Sequence, residues 1–275
     1  MPQNNSRTFA FALLAGSLLA LPAPAFAQWG NLLGTVKKRV EKEVERTVRG
    51  EEGAPAEQMD QDQPASSRLQ INEGFDFTPG TTTLVQDDFA DVKIGAMPAE
   101  WKTNGSGSVV SVNGLPGKWL SLQKFATYKL ETPPQLPANF TIEFDIVVAA
   151  DQTRDLSGMP FGFTANNSVR SYVQDAYNDA GLAVVNTNYS GNTTVSSSVT
   201  DYFHSLSFNY SSYANRVMHV SIAVKGDQMQ VYFDRTKIAD ARLFNDNPVK
   251  YFFISAPINM NHGANVLFGN FRIAS

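Results

Sequence analysis

Residues 140–148 read FTIEFDIVV, and this stretch decides the fold class. Large apolar side chains occupy every second position from Phe140 to Ile146, and Thr, Glu and Asp fill the positions between them. Successive side chains of a β-strand point to opposite faces of its sheet. The alternation therefore predicts a strand with one face buried in a core and the other face polar.

Similar short runs recur along the chain as far as residue 273. They are residues 108–112, 119–122, 127–130, 161–163, 182–185, 217–224, 228–233, 252–255 and 266–273. Gly, Pro, Asn and Asp separate them, and Lys225-Gly226-Asp227 has the chemistry of a hairpin turn. No helical periodicity interrupts the series. The pattern predicts an all-β, antiparallel β-sandwich over residues 75–275.

Composition excludes several function classes. The chain has 275 residues, a formal net charge of −4 and no cysteine. A net negative chain lacks the basic footprint that phosphate backbones require, so no nucleic-acid partner is predicted. Without cysteine there are no disulfides, thiolate nucleophiles or Cys-based metal sites.

The N-terminal segment has the features of an export signal. Arg7 precedes the apolar run 9–21, prolines follow, and Ala25-Phe26-Ala27 offers small residues where signal peptidase reads them. We predict a signal peptide over residues 1–27, cleaved after Ala27. No later stretch is long and apolar enough to span a bilayer as a helix, so no transmembrane span is predicted after cleavage. The expected location is the periplasm or the outer membrane, or the medium.

Two further segments precede the sandwich. Residues 28–50 place Val36, Val40, Val44 and Val48 at every fourth position, which predicts one amphipathic helix. This helix could self-associate, pack against an envelope partner, lie on a membrane surface or serve as a solvated spacer. Residues 51–74 have almost no large apolar side chain, so we predict a disordered linker.

The ordered motifs resemble concanavalin A-like lectin/glucanase domains, a group that includes laminin-G-like domains. The matching motifs are Asp87-Asp88-Phe89 before Pro98-Ala99-Glu100-Trp101, Leu136-Pro137 before the 140–146 strand, the 219–226 and 231–239 strand pair, and Phe268-Gly-Asn-Phe-Arg-Ile273. The resemblance implies a jelly-roll topology for the sandwich.

Within that group the sequence is most similar to the N-terminal region of bacterial OmpA-family envelope proteins. Those proteins also have a signal peptide, a helix rich in Lys, Glu, Arg and Val, and a lead-in like Phe75-Asp-Phe-Thr-Pro-Gly80. No part of the 275 residues corresponds to their peptidoglycan-binding OmpA domain.

Motifs for catalysis are absent or incomplete. Glucanases of this fold carry E-x-D-x-x-E on one strand, and here Glu143 and Asp145 are followed by Val148 where the second glutamate would stand. The three histidines are far apart in the sequence, and no G-x-S-x-G, G-x-G-x-x-G or P-loop motif occurs. We therefore predict that the protein is not an enzyme.

Two kinds of binding residue can be proposed. Asp87 and Asp88 could supply oxygen ligands to a structural calcium ion, although turn aspartates serve equally well as caps. Residues 151–215 combine tyrosines with asparagines, the pair of side chains that stack on sugars and hydrogen-bond their hydroxyls; structural loops are the alternative. The predicted ligand residues are Tyr172, Tyr177, Tyr189, Tyr202, Asn186 and Asn188.

Together these observations predict an exported, non-catalytic envelope protein that binds a glycan or a protein through its sandwich and requires no cofactor. The alternatives are a glycoside hydrolase or lyase with a diverged site, and a purely structural envelope protein.

Overall fold

A computed structural model describes residues 74–246 and 248–275. The predicted signal peptide, the helix at 28–50 and the linker up to residue 73 lie outside the described residues. The strands are β1 (Thr83–Asp87), β2 (Trp101–Thr103), β3 (Gly107–Val112), β4 (Leu115–Leu122), β5 (Thr127–Leu130), β6 (Asn139–Ala149), β7 (Met159–Thr164), β8 (Gly181–Asn188), β9 (Asn192–Ser197), β10 (Phe203–Ser207), β11 (Val217–Lys225), β12 (Gln228–Phe233), β13 (Thr236–Arg242), β14 (Tyr251–Ser255) and β15 (Asn265–Ala274).

The strands form two sheets, and neighbouring strands in both are antiparallel. The first sheet has the order β13-β12-β11-β6-β15-β4-β3, with β1 also paired to β15. The second has the order β10-β9-β8-β7-β14-β5-β2. The fold of the described residues is an all-β, antiparallel jelly-roll β-sandwich, so the predicted fold class is confirmed. Within the described residues no helix has the length and hydropathy needed to cross a bilayer.

The core lies between the sheets and follows the period-two pattern. Phe140 and Phe144 of β6 are buried and meet Phe163 and Phe161 of β7 edge-on, at ring-centroid distances of 5.7 and 5.3 Å. Edge-to-face aromatic pairs add roughly 1 kcal/mol each beyond the area that they bury. These contacts join the centres of the two sheets.

The outer face of the first sheet is partly covered by residues 75–80. The rings of Phe75 and Phe77 pack on Tyr232 of β12, and Asp76 accepts a hydrogen bond of 2.5 Å from the Tyr232 hydroxyl. Gly80 N donates to Thr141 Oγ1 at 2.9 Å. The lead-in to the sandwich is thus fixed to its surface before β1 begins.

One end of the sandwich, called the loop end here, carries seven connections between consecutive strands. They are residues 104–106, 123–126, 150–158, 189–191, 208–216, 234–235 and 256–264. Because antiparallel strands alternate in direction, these connections meet at the same end of both sheets. The loop end therefore offers irregular surface from several distant parts of the chain, which is where binding residues commonly lie.

Candidate functional site

The loop end contains two clefts. The first cleft has a volume of about 560 Å³ and is lined by Gly95, Ser106, Gly107, Ser108, Ser121, Leu122, Gln123, Lys124, Met260, Ala264 and Asn265. The second cleft has a volume of about 320 Å³ and is lined by Asp151, Gln152, Thr153, Arg154, Tyr189, Ser190, Gly191, Asn209, Tyr210 and Ser211.

Hydroxyls and amides dominate the first cleft. Ser108 of β3 and Ser121 of β4 are direct cross-strand partners, so their side chains lie side by side on the outer face of the first sheet. Gln123 Oε1 accepts hydrogen bonds from Ser106 N at 2.7 Å and from Ser106 Oγ at 2.6 Å. The lining has one cation, Lys124, and no carboxylate. Such a surface suits a ligand rich in hydroxyl groups.

An aromatic pair begins at the residue after Lys124, which lines the first cleft; it consists of the exposed Phe125 and the half-buried Tyr172. Phe125 is 56% exposed, and its ring lies 4.8 Å from that of Tyr172, centroid to centroid, at an angle of 30°. Tyr172 is fixed by a hydrogen bond of 2.9 Å from its hydroxyl to Ala256 O. Burial raises the pKa of the Tyr172 hydroxyl, which therefore stays protonated and acts as the donor.

Phe125 has an unusual backbone conformation. Its φ is +59°, in the left-handed region that side chains other than glycine, Asn and Asp rarely adopt. The strand-end hydrogen bond from Phe125 N to Pro257 O, 3.0 Å long, holds it there. Unfavourable backbone conformations of this kind concentrate at functional sites.

A ridge separates the two clefts. Leu156 and Met260 form an isolated β-bridge, and Asn261 N donates to Asp155 O at 2.9 Å. His262 tops the ridge with its side chain 79% exposed, and its Nδ1 lies 2.9 Å from Asp155 Oδ1. The ridge therefore joins the 150–158 and 256–264 connections and gives both clefts a common wall.

The second cleft combines buried rings with exposed polar groups. Tyr189 and Tyr210 are almost fully buried and pack edge-on at 5.0 Å. Asn209 Oδ1 accepts a hydrogen bond of 2.6 Å from Ser211 Oγ. Arg154 is exposed, and no ion pair involves it within the described part of the chain.

The structure does not bring the six predicted ligand residues together. Tyr177 and Tyr202 lie in the 165–180 and 198–202 connections, which join strands at the opposite end. Tyr172 also belongs to the 165–180 connection, but its hydroxyl reaches Ala256 O at the loop end, where Asn188 ends β8. Tyr189 also lies at the loop end, but it is only 3% exposed, so its ring contributes to the core and not to an open stacking surface.

The two asparagines have different environments. Asn188 Oδ1 accepts the Ser190 amide at 3.1 Å within the β8–β9 turn, which is a structural role. Asn186 lies two residues before Asn188 in β8, and its buried Oδ1 has no hydrogen-bond partner among the described residues. A ligand role for the six residues as a set stays a prediction.

Asp87 and Asp88 are engaged in local structure. Asp87 accepts hydrogen bonds of 2.9 Å from Phe89 N and from the indole of Trp101, and Asp88 accepts one of 2.9 Å from Ala90 N. Residues 74–246 and 248–275 contain no group of three or more His, Cys, Asp or Glu side chains that could hold a metal ion. Both carboxylates make the local contacts of the capping alternative, and calcium binding by them stays a prediction.

Glu143 and Asp145 point away from the core, as the alternation predicts, and flank one imidazole. His219 Nδ1 lies 2.6 Å from Asp145 Oδ1, and Nε2 lies 3.6 Å from Glu143 Oε1. The remaining oxygens accept from Asn270 Nδ2 at 2.6 Å and from Arg272 Nη1 at 3.0 Å. The cluster is a closed network of charges on the outer face of the first sheet.

Its electrostatics oppose a role in acid catalysis. The hydrogen bonds to Asp145 and Glu143 raise the pKa of His219 to about 9, and the hydrogen bonds from His219 and Arg272 lower the pKa of Glu143. At neutral pH this arrangement is a cation between two carboxylates. A glycosidase instead needs a carboxylic acid whose pKa is raised, so that it can protonate the leaving oxygen.

Sequence reasoning missed Phe125, Arg154 and His262 as loop-end residues. For Phe125 the only signal was an aromatic side chain between two predicted strands, directly before Ala126 and after Lys124. Arg154 and His262 had no motif around them. Their placement depends on contacts between connections that are distant in the sequence.

No protein-family model and no curated protein matches the sequence. Among solved structures, the carbohydrate recognition domain of Emp47p is similar with a TM-score of 0.49 and 13% identity, over 69% of this chain and 94% of that domain. The carbohydrate-binding module CBM66 from Bacillus subtilis gives a TM-score of 0.42 and 13% identity, over 64% and 96%.

The binding domain of botulinum neurotoxin serotype D gives a TM-score of 0.47 and 14% identity, over 70% of this chain and 48% of that one. The chain thus spans about half the length of that toxin domain. The resemblance to OmpA-family envelope proteins stays a prediction. The fold assignment stands on the two antiparallel sheets themselves.

Proposed function

We propose that this protein is an exported, non-catalytic glycan-binding protein of the cell envelope, and that it binds its ligand at the loop end. One observation carries the proposal: Phe125 presents an exposed ring, in a left-handed backbone conformation, and the residue before it, Lys124, lines a cleft of hydroxyls and amides. Sugars offer the complementary surface, with C–H patches for the ring and hydroxyls for the cleft.

The backbone conformation of Phe125 adds weight because it is unfavourable. A left-handed conformation costs a residue with a Cβ roughly 1–2 kcal/mol, and glycine would remove this cost. The packing of the Phe125 ring in the free protein offsets only part of this cost, since the ring is 56% exposed and its one aromatic partner among the described residues is the half-buried Tyr172. An exposed phenylalanine at such a position is better explained by a contact with a ligand.

The hydrolase alternative has the Glu143–His219–Asp145 cluster as its best candidate. Both carboxylates there are occupied by cationic or amide donors, and the imidazole faces a carboxylate at each nitrogen. A binding role at the loop end therefore has more support than catalysis at this cluster.

The proposal is tested on a glycan array with the full chain, the Phe125→Gly variant and the Phe203→Ala variant. Phe203 is a matched control, because it is 65% exposed and begins β10 at the end opposite the loop end. Phe125→Gly removes the ring and relaxes the backbone, so its free energy of unfolding should stay within about 1 kcal/mol of the wild-type value.

We expect wild type and Phe203→Ala to bind the same glycans, and Phe125→Gly to lose about tenfold or more in affinity. If no glycan is bound, or if Phe125→Gly binds as tightly as wild type, the proposed site is wrong. Release of reducing sugar from a bound polysaccharide would contradict the non-catalytic assignment.

A further inference from the structure

The ridge joins a loop that lines the first cleft to a loop that lines the second, and the two clefts with this ridge are called the path here. Met260 lines the first cleft and is bridged to Leu156, while Thr153 and Arg154, on the same connection as Leu156, line the second cleft. Ser157 N also donates to Asn259 O at 3.1 Å.

Each part of the path presents a basic side chain. Lys124 lies in the first cleft, His262 on the ridge and Arg154 in the second cleft. His262 is paired with Asp155, whereas neither Lys124 nor Arg154 takes part in any ion pair of the described residues. Asp151, in the second cleft, is the one carboxylate in the two linings.

Unpaired cations within polar clefts point to an anionic ligand, although the chain as a whole is acidic with a net charge of −4. Because the net charge gives an anionic ligand no long-range attraction, its carboxylates would be recognised at short range by these two exposed cations. Guanidinium groups in particular match the geometry of carboxylates.

From this arrangement we infer that the ligand is an internal stretch of a linear acidic polysaccharide, with uronate-type carboxylates, that occupies both clefts at once. Lys124 meets a carboxylate in the first cleft, Arg154 meets one in the second, and the chain crosses the ridge beside His262. The inference rests on the proposed glycan-binding function and adds the charge and the length of the ligand.

Oligogalacturonides of increasing length test the inference by calorimetry on the full chain. The comparison set is the same oligomers with their carboxylates reduced to alcohols. Affinity should rise with length by roughly tenfold or more until both clefts are filled, and then level off, because the second contact is made within one complex. The reduced oligomers should bind more weakly at every length.

Single variants separate the two clefts. Lys124→Gln should weaken binding of short and long uronates by about fivefold, and Arg154→Gln should weaken binding of long uronates only, by a similar factor. Lys225→Gln, at the hairpin on the opposite end, is the matched control and should bind like wild type.

Equal affinity for uronates and their reduced counterparts, or an Arg154→Gln variant that binds long uronates like wild type, would overturn this inference. In either case a Phe125→Gly variant that still loses affinity for neutral glycans leaves the proposed function standing. If no glycan of either kind binds, the proposed function fails and the inference fails with it.

Discussion

His219 should make the stability of the sandwich depend on pH in the alkaline range. Its imidazole lies between Asp145 and Glu143 on the outer face of the first sheet, and the hydrogen bonds to Asp145 and Glu143 raise its pKa from 6.5 to about 9. A pKa that is raised in the folded state means that the folded protein binds the His219 proton more tightly than the unfolded chain does, so protonation stabilises the fold. The contribution is therefore complete below pH 6.5, declines above it, and is lost as the pH passes about 9.

The magnitude follows from the exposure of the ring. A shift from 6.5 to about 9 would correspond to about 3 kcal/mol if the pair were fully shielded. The His219 side chain is 41% exposed, so solvent screens most of this interaction. We expect about 1 kcal/mol of unfolding free energy to disappear between about pH 6 and pH 10 through this group.

Urea unfolding of wild type and of His219→Gln over this pH range isolates the effect. The difference between the two free energies of unfolding should shrink by about 1 kcal/mol toward alkaline pH, since all other titrations cancel. His204→Gln is the control: His204 is exposed on β10 and takes part in none of the ion pairs formed by the described residues. A difference that is constant with pH, or that grows, would refute the assignment of His219 as the titrating group.

Two further predictions concern the second sheet. A Cβ at Gly162, where φ is +147°, would overlap the backbone carbonyl of Ala183, so Gly162→Ala should cost about 3 kcal/mol or more in chemical denaturation. At Gly114, with φ +86° and open space around it, the same substitution should cost only about 1 kcal/mol, and equal costs at both positions would contradict the steric argument. Lys129 is fully buried, and desolvation lowers its pKa from 10.5 to about 8. Burial of the charged amine therefore lowers the free energy of unfolding most strongly below pH 8. Lys129→Met should stabilise the protein by about 1–2 kcal/mol at pH 7, and this advantage should shrink as the pH approaches about 10; a destabilised variant at pH 7 would show that the hydrogen bonds of Lys129 outweigh its desolvation.

Several strands could be predicted from the sequence because the side chains that they direct into the core are hydrocarbon. Residues 127–130 and 228–233 are strands with the predicted bounds, and β6 exceeds its predicted bounds by one residue at each end. In these strands every inward position is an apolar side chain, so burial is visible in the pattern of residue types.

β9 and β10 were missed for a physical reason. The inward positions of β9 include Thr193 and Ser197, which are fully buried. Their hydroxyls are satisfied by Tyr210 OH and by Leu243 O, the latter at 2.8 Å. A buried hydroxyl looks like a loop residue in the sequence, because its partner lies in another part of the chain.

The candidate site was harder to predict than the fold. Tyr172 was predicted as a ligand residue from the composition of residues 151–215, and this stays a prediction, whereas the conformation of its partner Phe125 depends on a hydrogen bond to Pro257 O. The clefts arise where several connections meet, and no single connection has a signature of its own. Local sequence therefore predicts the strands, while the binding surface depends on how distant loops are juxtaposed.

The position of β15 has a consequence for how the protein is made. This last strand lies in the interior of the first sheet, paired with β6 on one side and with β4 and β1 on the other. Until residues 265–274 have left the ribosome, the parts of that sheet on either side of β15 have no strand to join them. The first sheet therefore cannot be completed before this strand emerges, and removing residues 265–275 would divide the sheet in two rather than merely shorten its edge.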